Sequence, residues 1–135
     1  MVPPVVLVAD GSSCRRRRAA DAHIPILLRI AAAAAQPNIY MKIGGIGMPS
    51  VGFDWHLRDK PIGSEELASN MAPIVNHCIE QFGPNRCMFE SNFPVDRLSV
   101  SYRVLYNALK KIAGEFSEEE QTAMFSGTAS RVYRI

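Results

Sequence analysis

Across its 135 residues the chain has no uninterrupted apolar run near the roughly eighteen residues of a membrane-spanning helix; the longest candidate, residues 30–35, is short and mostly alanine. No membrane partner is expected. A basic leader is lacking as well. Met1-Val2-Pro3-Pro4 has no basic side chain, and the arginines follow the first apolar stretch instead of preceding it, so a cytoplasmic location is expected. Cysteine is scarce: Cys14, Cys78 and Cys87 form no CxxC pair and one is left over if two bridge. That argues against a disulfide framework or a zinc site and for reduced, buried thiols. His23, His56 and His77 are isolated and show no ligand spacing.

Charge is unevenly distributed. Residues 1–35 carry five Lys/Arg against two Asp/Glu, while residues 36–135 carry ten against eleven. The basic excess comes from "CRRRRAAD", Arg15 to Arg18. Clustered guanidinium groups can displace counterions from phosphate, but four arginines without interleaved aromatics or a recognisable binding fold point to a solvated segment. No nucleic-acid partner is expected. With 47% hydrophobic and 21% charged residues, the composition is that of one globular domain.

The rest of the chain is clearly patterned. "PNIYMKIGG" opens on turn residues and carries Ile39, Tyr40, Met41 and Ile43, a strand running into a flexible Gly44-Gly45 loop. From Ser64, apolar residues fall at Leu67, Met71, Ile74, Val75, Cys78, Ile79 and Phe82, one face of a helix capped by Ser64 and stopped by Gly83-Pro84. Pro73 predicts a kink or two shorter helices. Arg86 to Phe89 read as a short strand with Cys87 in the core. A helix follows, with Val100, Val104, Leu105, Ala108, Leu109 and Ile112 on one side and Gly114 at its end. "SEEE", Ser117 to Glu120, has the spacing of a capping box and opens a last helical segment through Met124 and Phe125.

Residues 38–135 thus read β, long loop, α, β, loop, α, α. That order implies parallel strands and an α/β fold. Upstream, only Val5 to Val8 and an alanine-rich helix from about Ile26 to Gln36 add elements, so the pattern is that of part of a larger sheet or barrel. Ligands of such folds sit at the C-terminal ends of the strands. Two segments lie there: Glu90 to Asp96, and the twenty-residue loop Gly44 to Gly63 with Trp55, His56, Arg58 and Asp59. The loop is longer than a plain connector, and two readings of it stand: a functional loop, or one in which Trp55 and Phe53 pack its underside while His56 is merely exposed. Lys42 either points into the barrel to meet a substrate carboxylate or snorkels outward. His77, on the polar flank of its helix, reads as a surface residue.

"NIYMKIGG", "EQFGPNRCMFESNFPVD" and "MFSGTASRVYRI" resemble, in order, the last two barrel strands and C-terminal helix of the amidohydrolase-related proteins, which include lactonases, 2-pyrone-4,6-dicarboxylate hydrolase and some decarboxylases. The resemblance covers roughly residues 27–135. It implies a fragment, the last two or so β/α units, of a metal-dependent-hydrolase-like (β/α)8 TIM barrel; a whole barrel takes about 250 residues. Three departures stand out. The His-x-His pair that such proteins usually carry on the first strand for metal or substrate binding is absent, so no cofactor is expected in this chain, and a divalent metal is left open for the full-length parent. Where the family commonly has Ser-Asp-aromatic-Pro, this chain has "SNFP", with Asn92 in place of the Asp. An amide has no useful basicity, so Asn92 orients a substrate or water, and Glu90 and Asp96 become the candidate carboxylates. Residues 1–26 do not resemble the family, and their Ala, Arg, Pro, Val and Gly content suits a shifted reading frame or a disordered segment; the alternative is a genuine short protein whose first strand is Val5 to Val8.

Two functions follow from the resemblance. In the first, the parent hydrolyses a lactone, amide or related bond of a small carboxylated metabolite, with Asn92, Glu90 and Asp96 as catalytic candidates and His56, Arg58, Lys42 and Trp55 as substrate-binding ones. In the second, the chain is a non-catalytic barrel remnant that self-associates through exposed strand edges.

Overall fold

A computed structural model describes residues 4–8, 28–51 and 53–135. Three strands form one parallel sheet in the order β1 (Val5–Val8), β2 (Ile39–Ile43), β3 (Cys87–Phe89). Val5 faces Ile39 across the first pair, and Met41 faces Cys87 across the second. The strand expected at Val5 to Val8 is present, so the sheet is one strand wider than the two read from residues 38–135. Arg15 to Arg18, Cys14 and His23 lie outside the described residues.

Between the strands run helical residues 28–34 (α1) and the helix α2 (Ser64–Phe82). After β3 come α3 (Tyr102–Ala113), α4 (Glu118–Thr122), a π-helical turn at Ala123–Gly127 and α5 (Thr128–Tyr133). The spacing of three and four in α2 buries Leu67, Met71, Val75, Cys78, Ile79 and Phe82. These pack with Leu105, Ala108, Leu109 and Ile112 of α3, Ile30 and Ala34 of α1, and Met41 and Ile43 of β2. Strand alternation then places Lys42 on the sheet face opposite that core, across from Met88, which is buried but outside the main core cluster.

Two details of α2 differ from the sequence reading. The cap is Gly63, with Ser64 already helical, and no side chain caps the first amides. The helix also runs unbroken through Pro73 as one 19-residue element. Other signals hold. Gly83 ends α2 at φ 76°, Ser101 Oγ accepts from Val104 N at the start of α3, and Ser117 with Glu120 forms a full capping box. The π-helical turn buries Met124 and sets Phe125 against Phe89, with ring centroids 4.9 Å apart. His77 is half-buried.

Burial pushes the Cys78 thiol up to about 11 and the Cys87 thiol up to about 12, the nearby Cys78 adding to the latter. Since the thiolate is the reactive species, neither should be alkylated by iodoacetamide near pH 7 until the protein is unfolded. Mass spectrometry of the native and urea-treated protein checks this; rapid labelling of Cys87 in the native state would contradict the packing.

Candidate functional site

The C-terminal ends of β2 and β3 are brought together by main-chain pairing that continues one residue past β3: Glu90 N donates to Ile43 O at 3.0 Å. From there the Glu90 side chain crosses to the end of β2 and forms an ion pair with Lys42 Nζ, both side chains about three-quarters buried. This hydrogen bond raises the Lys42 ammonium above its ordinary value, against the opposing effect of burial. The crossing is allowed by Gly44, because a Cβ there would stand 2.1 Å from Glu90 Cγ and 2.9 Å from Glu90 O. Gly44 and Gly45, expected to be a flexible loop, are both buried, with Gly45 at φ 68°. The pair of glycines marks a close approach of backbones, which a sequence shows in the same way as a hinge.

Beyond Glu90, Asn92 is held from three sides. Its N–H donates to Asp96 Oδ2 at 2.6 Å, its carbonyl accepts from Asp96 N at 3.1 Å, and its Nδ2 donates to Met48 Sδ at 2.7 Å. The Asn92 side chain is exposed, whereas Asp96 is fully buried and its Oδ1 has no hydrogen-bond partner. Burial raises the Asp96 carboxyl above its ordinary 3.8, the Asn92 N–H opposes this, and the charge of Glu90 adds to it. A folded-state value above the unfolded one means that the native protein binds this proton more tightly. The contribution is complete below pH 3.8 and is lost as pH rises through the folded value. The urea midpoint of Asp96→Asn relative to wild type should therefore rise as pH increases from about 4 to 7; a falling difference would reverse the assignment.

An aromatic wall flanks the strand end. Phe93 meets Tyr102 edge-on at 5.3 Å, and the Tyr102 ring lies 4.5 Å from that of Tyr106. Burial, with the neighbouring Tyr102, pushes the Tyr106 phenol up to about 12. Neither tyrosine stands out in the sequence, where both read as ordinary residues of an amphipathic helix.

The long-loop candidates are placed differently. Trp55 is 5% exposed and stacked on Phe53 at 4.4 Å, so it packs the loop against the core. His56 is exposed, and Arg58 Nη1 donates to Glu66 Oε1 at 2.8 Å in a solvent-exposed pair. The structure joins Lys42, Glu90, Asn92 and Asp96 into one cluster; among the described residues no hydrogen bond, ion pair or ring contact ties Trp55, His56 or Arg58 to it.

The cluster is a poor metal centre. Glu90 is engaged with Lys42, Asp96 is closed over by Asn92, and among the described residues no three His, Cys, Asp or Glu side chains converge. These donors do not fit a divalent ion.

A parallel sheet with covering helices and a polar cluster at its C-terminal edge is the α/β arrangement in which ligands sit at the strand ends. The family model for amidohydrolases matches residues 19–135, and the chain belongs to that amidohydrolase family. It is 38% identical over 102 residues to an uncharacterised protein, y4mH, of Sinorhizobium fredii, covering 76% of this chain and 30% of that protein. It is 28% identical over 103 residues to an L-fucono-1,5-lactonase of Burkholderia multivorans, covering 76% and 32%. Among solved structures, an amidohydrolase from Burkholderia multivorans with bound zinc superposes with a TM-score of 0.79 at 23% identity, covering 98% of this chain and 44% of that one. An amidohydrolase from Bifidobacterium longum subsp. infantis gives 0.56 at 23%, covering 98% and 40%. The three described strands are thus part of a (β/α)8 barrel, and the chain spans about a third of the curated relatives' length and under half that of the solved chains.

Proposed function

We propose that this chain carries the strand-end portion of a hydrolytic site acting on a lactone, amide or related bond of a small carboxylated metabolite. The observation that carries the reading is the convergence of Lys42, Glu90 and the exposed amide of Asn92 at the C-terminal ends of adjacent parallel strands. The likeness to an L-fucono-1,5-lactonase favours a cyclic ester among the candidate bonds. In lactone hydrolysis, water oxygen bonds to the carbonyl carbon, the ring C–O bond breaks, and the leaving alkoxide takes a proton to give a hydroxy acid. Asn92 orients water or the carbonyl through hydrogen bonds. Arg58 pairs with Glu66 at the surface and His56 is exposed in the same loop, so the reading rests on Lys42, Glu90 and Asn92.

Because an amide cannot act as a base, Asn92→Asp should raise turnover of an aldono-1,5-lactone at least about tenfold, followed as acid release with a pH indicator. Unchanged or abolished turnover in a folded variant would count against this position as the site of the missing base.

The second reading is a non-catalytic barrel remnant. It is favoured by the sheet itself, in which β1 and β3 each pair on one side only among the described residues. Unpaired edges promote association, so this reading expects concentration-dependent oligomers in sedimentation together with no lactone turnover. A cooperatively folded monomer that turns over lactone removes it.

A further inference from the structure

We infer that Asp96 is a positioning residue that fixes the Asn92 amide by clamping its backbone and bracing the Gly44–Met48 loop opposite. This deepens the hydrolytic reading and rests on it for the part played by Asn92.

The Asp96 carboxyl is fully buried, and its contacts are to the Asn92 backbone. What it touches is informative. Both polar main-chain groups of Asn92 pair with Asp96, the N–H with Oδ2 and the carbonyl with the Asp96 N–H. Asp96 O in turn accepts from Ser99 N at 3.0 Å and Val100 N at 2.9 Å, and the Val100 side chain belongs to the core. Asp96 therefore ties the Asn92 backbone to the core. On its other side, Asp96 Oδ1 faces Gly47, where a Cβ would stand 3.3 Å from that oxygen and 3.6 Å from Val100 Cγ2. Met48, next in sequence, receives the Asn92 Nδ2. One carboxyl thus spaces the two loops that bracket the amide. A buried carboxyl with one unpartnered oxygen is costly, and an apolar residue would fill the volume better. Only an acceptor at this place, however, can hold the Asn92 N–H.

The direct readout is the Asn92 backbone amide in a proton–nitrogen correlation spectrum, since a short hydrogen bond to a carboxyl moves the amide proton downfield. In wild type the resonance should lie downfield. Asp96→Asn, which keeps an acceptor, should hold it there and keep kcat for an aldono-1,5-lactone within about fivefold. Asp96→Ala should shift it upfield and lower kcat about 100-fold with KM little changed, the cost of a misplaced group that still binds. If Asp96→Ala does not fold, Asp96→Glu, one methylene longer, should displace the Asn92 resonance while leaving those of Lys42 and Met88 in place.

An Asn92 resonance unmoved by Asp96→Ala or Asp96→Glu overturns the clamp. So does normal kcat in Asp96→Ala beside an active wild type. If the wild type turns over no lactone, the hydrolytic reading fails, and the Asn92 resonance alone decides the clamp.

Discussion

Arg86→Ala should lower the stability of the folded protein by about 3 kcal/mol, the cost of removing a charged donor that serves several carbonyls at once. The guanidinium donates to Phe82 O at 3.0 Å, Gln36 O at 2.9 Å and Ala34 O at 3.0 Å, and lies 5.2 Å from the centre of the Phe82 ring. Ala34 and Phe82 end α1 and α2, where helices leave acceptors without intrahelical partners, and Gln36 lies in the turn after α1. One side chain therefore closes two helices and joins them just before β3 begins. Arg86→Lys should recover less than half of the loss, because an ammonium cannot present the planar fork that reaches three acceptors. Urea denaturation of the three proteins measures this. A loss below about 1 kcal/mol for the alanine variant would show that water replaces the guanidinium without penalty.

Gly44→Ala is the second large effect. The added methyl would lie 2.1 Å from Glu90 Cγ and 2.9 Å from the Glu90 carbonyl oxygen, and the latter cannot move without parting β2 from β3. Overpacking of this kind costs about 3 kcal/mol where backbone must shift. Glu90 should also be pushed away from Lys42, and lactone turnover should fall at least about tenfold, since small displacements in a site are expensive. Gly63→Ala is the control. A methyl added at Gly63 would meet no heavy atom within 4 Å, and φ there is −85°, so its cost should stay under about 1 kcal/mol. Thermal melts followed by circular dichroism, with the indicator assay alongside, separate the two variants; equal behaviour would contradict the close approach.

These two residues also show what the sequence can reveal. The apolar face of α2, the capping box at Ser117 and the strand at Ile39 to Ile43 are legible because each rests on neighbours within a turn or a few residues. Val5 to Val8 is legible as a strand for the same reason. Arg86 gives no signal, because its acceptors are carbonyls of residues up to 52 positions away, and every sequence has carbonyls. Gly44 and Gly45 read as flexible because a glycine needed for space looks the same as one needed for motion. For Lys42, alternation allows two faces, and only the burial of Met41 and Ile43 on the core side selects between them. Trp55 in a polar loop offers both packing and binding; its stacking on Phe53 places it in packing. In the cluster, Glu90, Asn92 and Asp96 can be chosen from their chemistry. The difference between an exposed amide and a buried acid four residues on cannot, since it depends on how the turn after β3 folds back.

The most direct test of the site is to map a product onto it. Titrating the isotopically labelled chain with a six-carbon aldonate, the hydroxy acid released from an aldono-1,5-lactone, and following backbone amides gives that map. Saturable shifts confined to residues 42–48 and 90–96 are expected, with Asn92 among the largest. Shifts centred on the N-terminal ends of β2 and β3, or none up to high millimolar aldonate, would contradict a site at the strands' C-terminal edge.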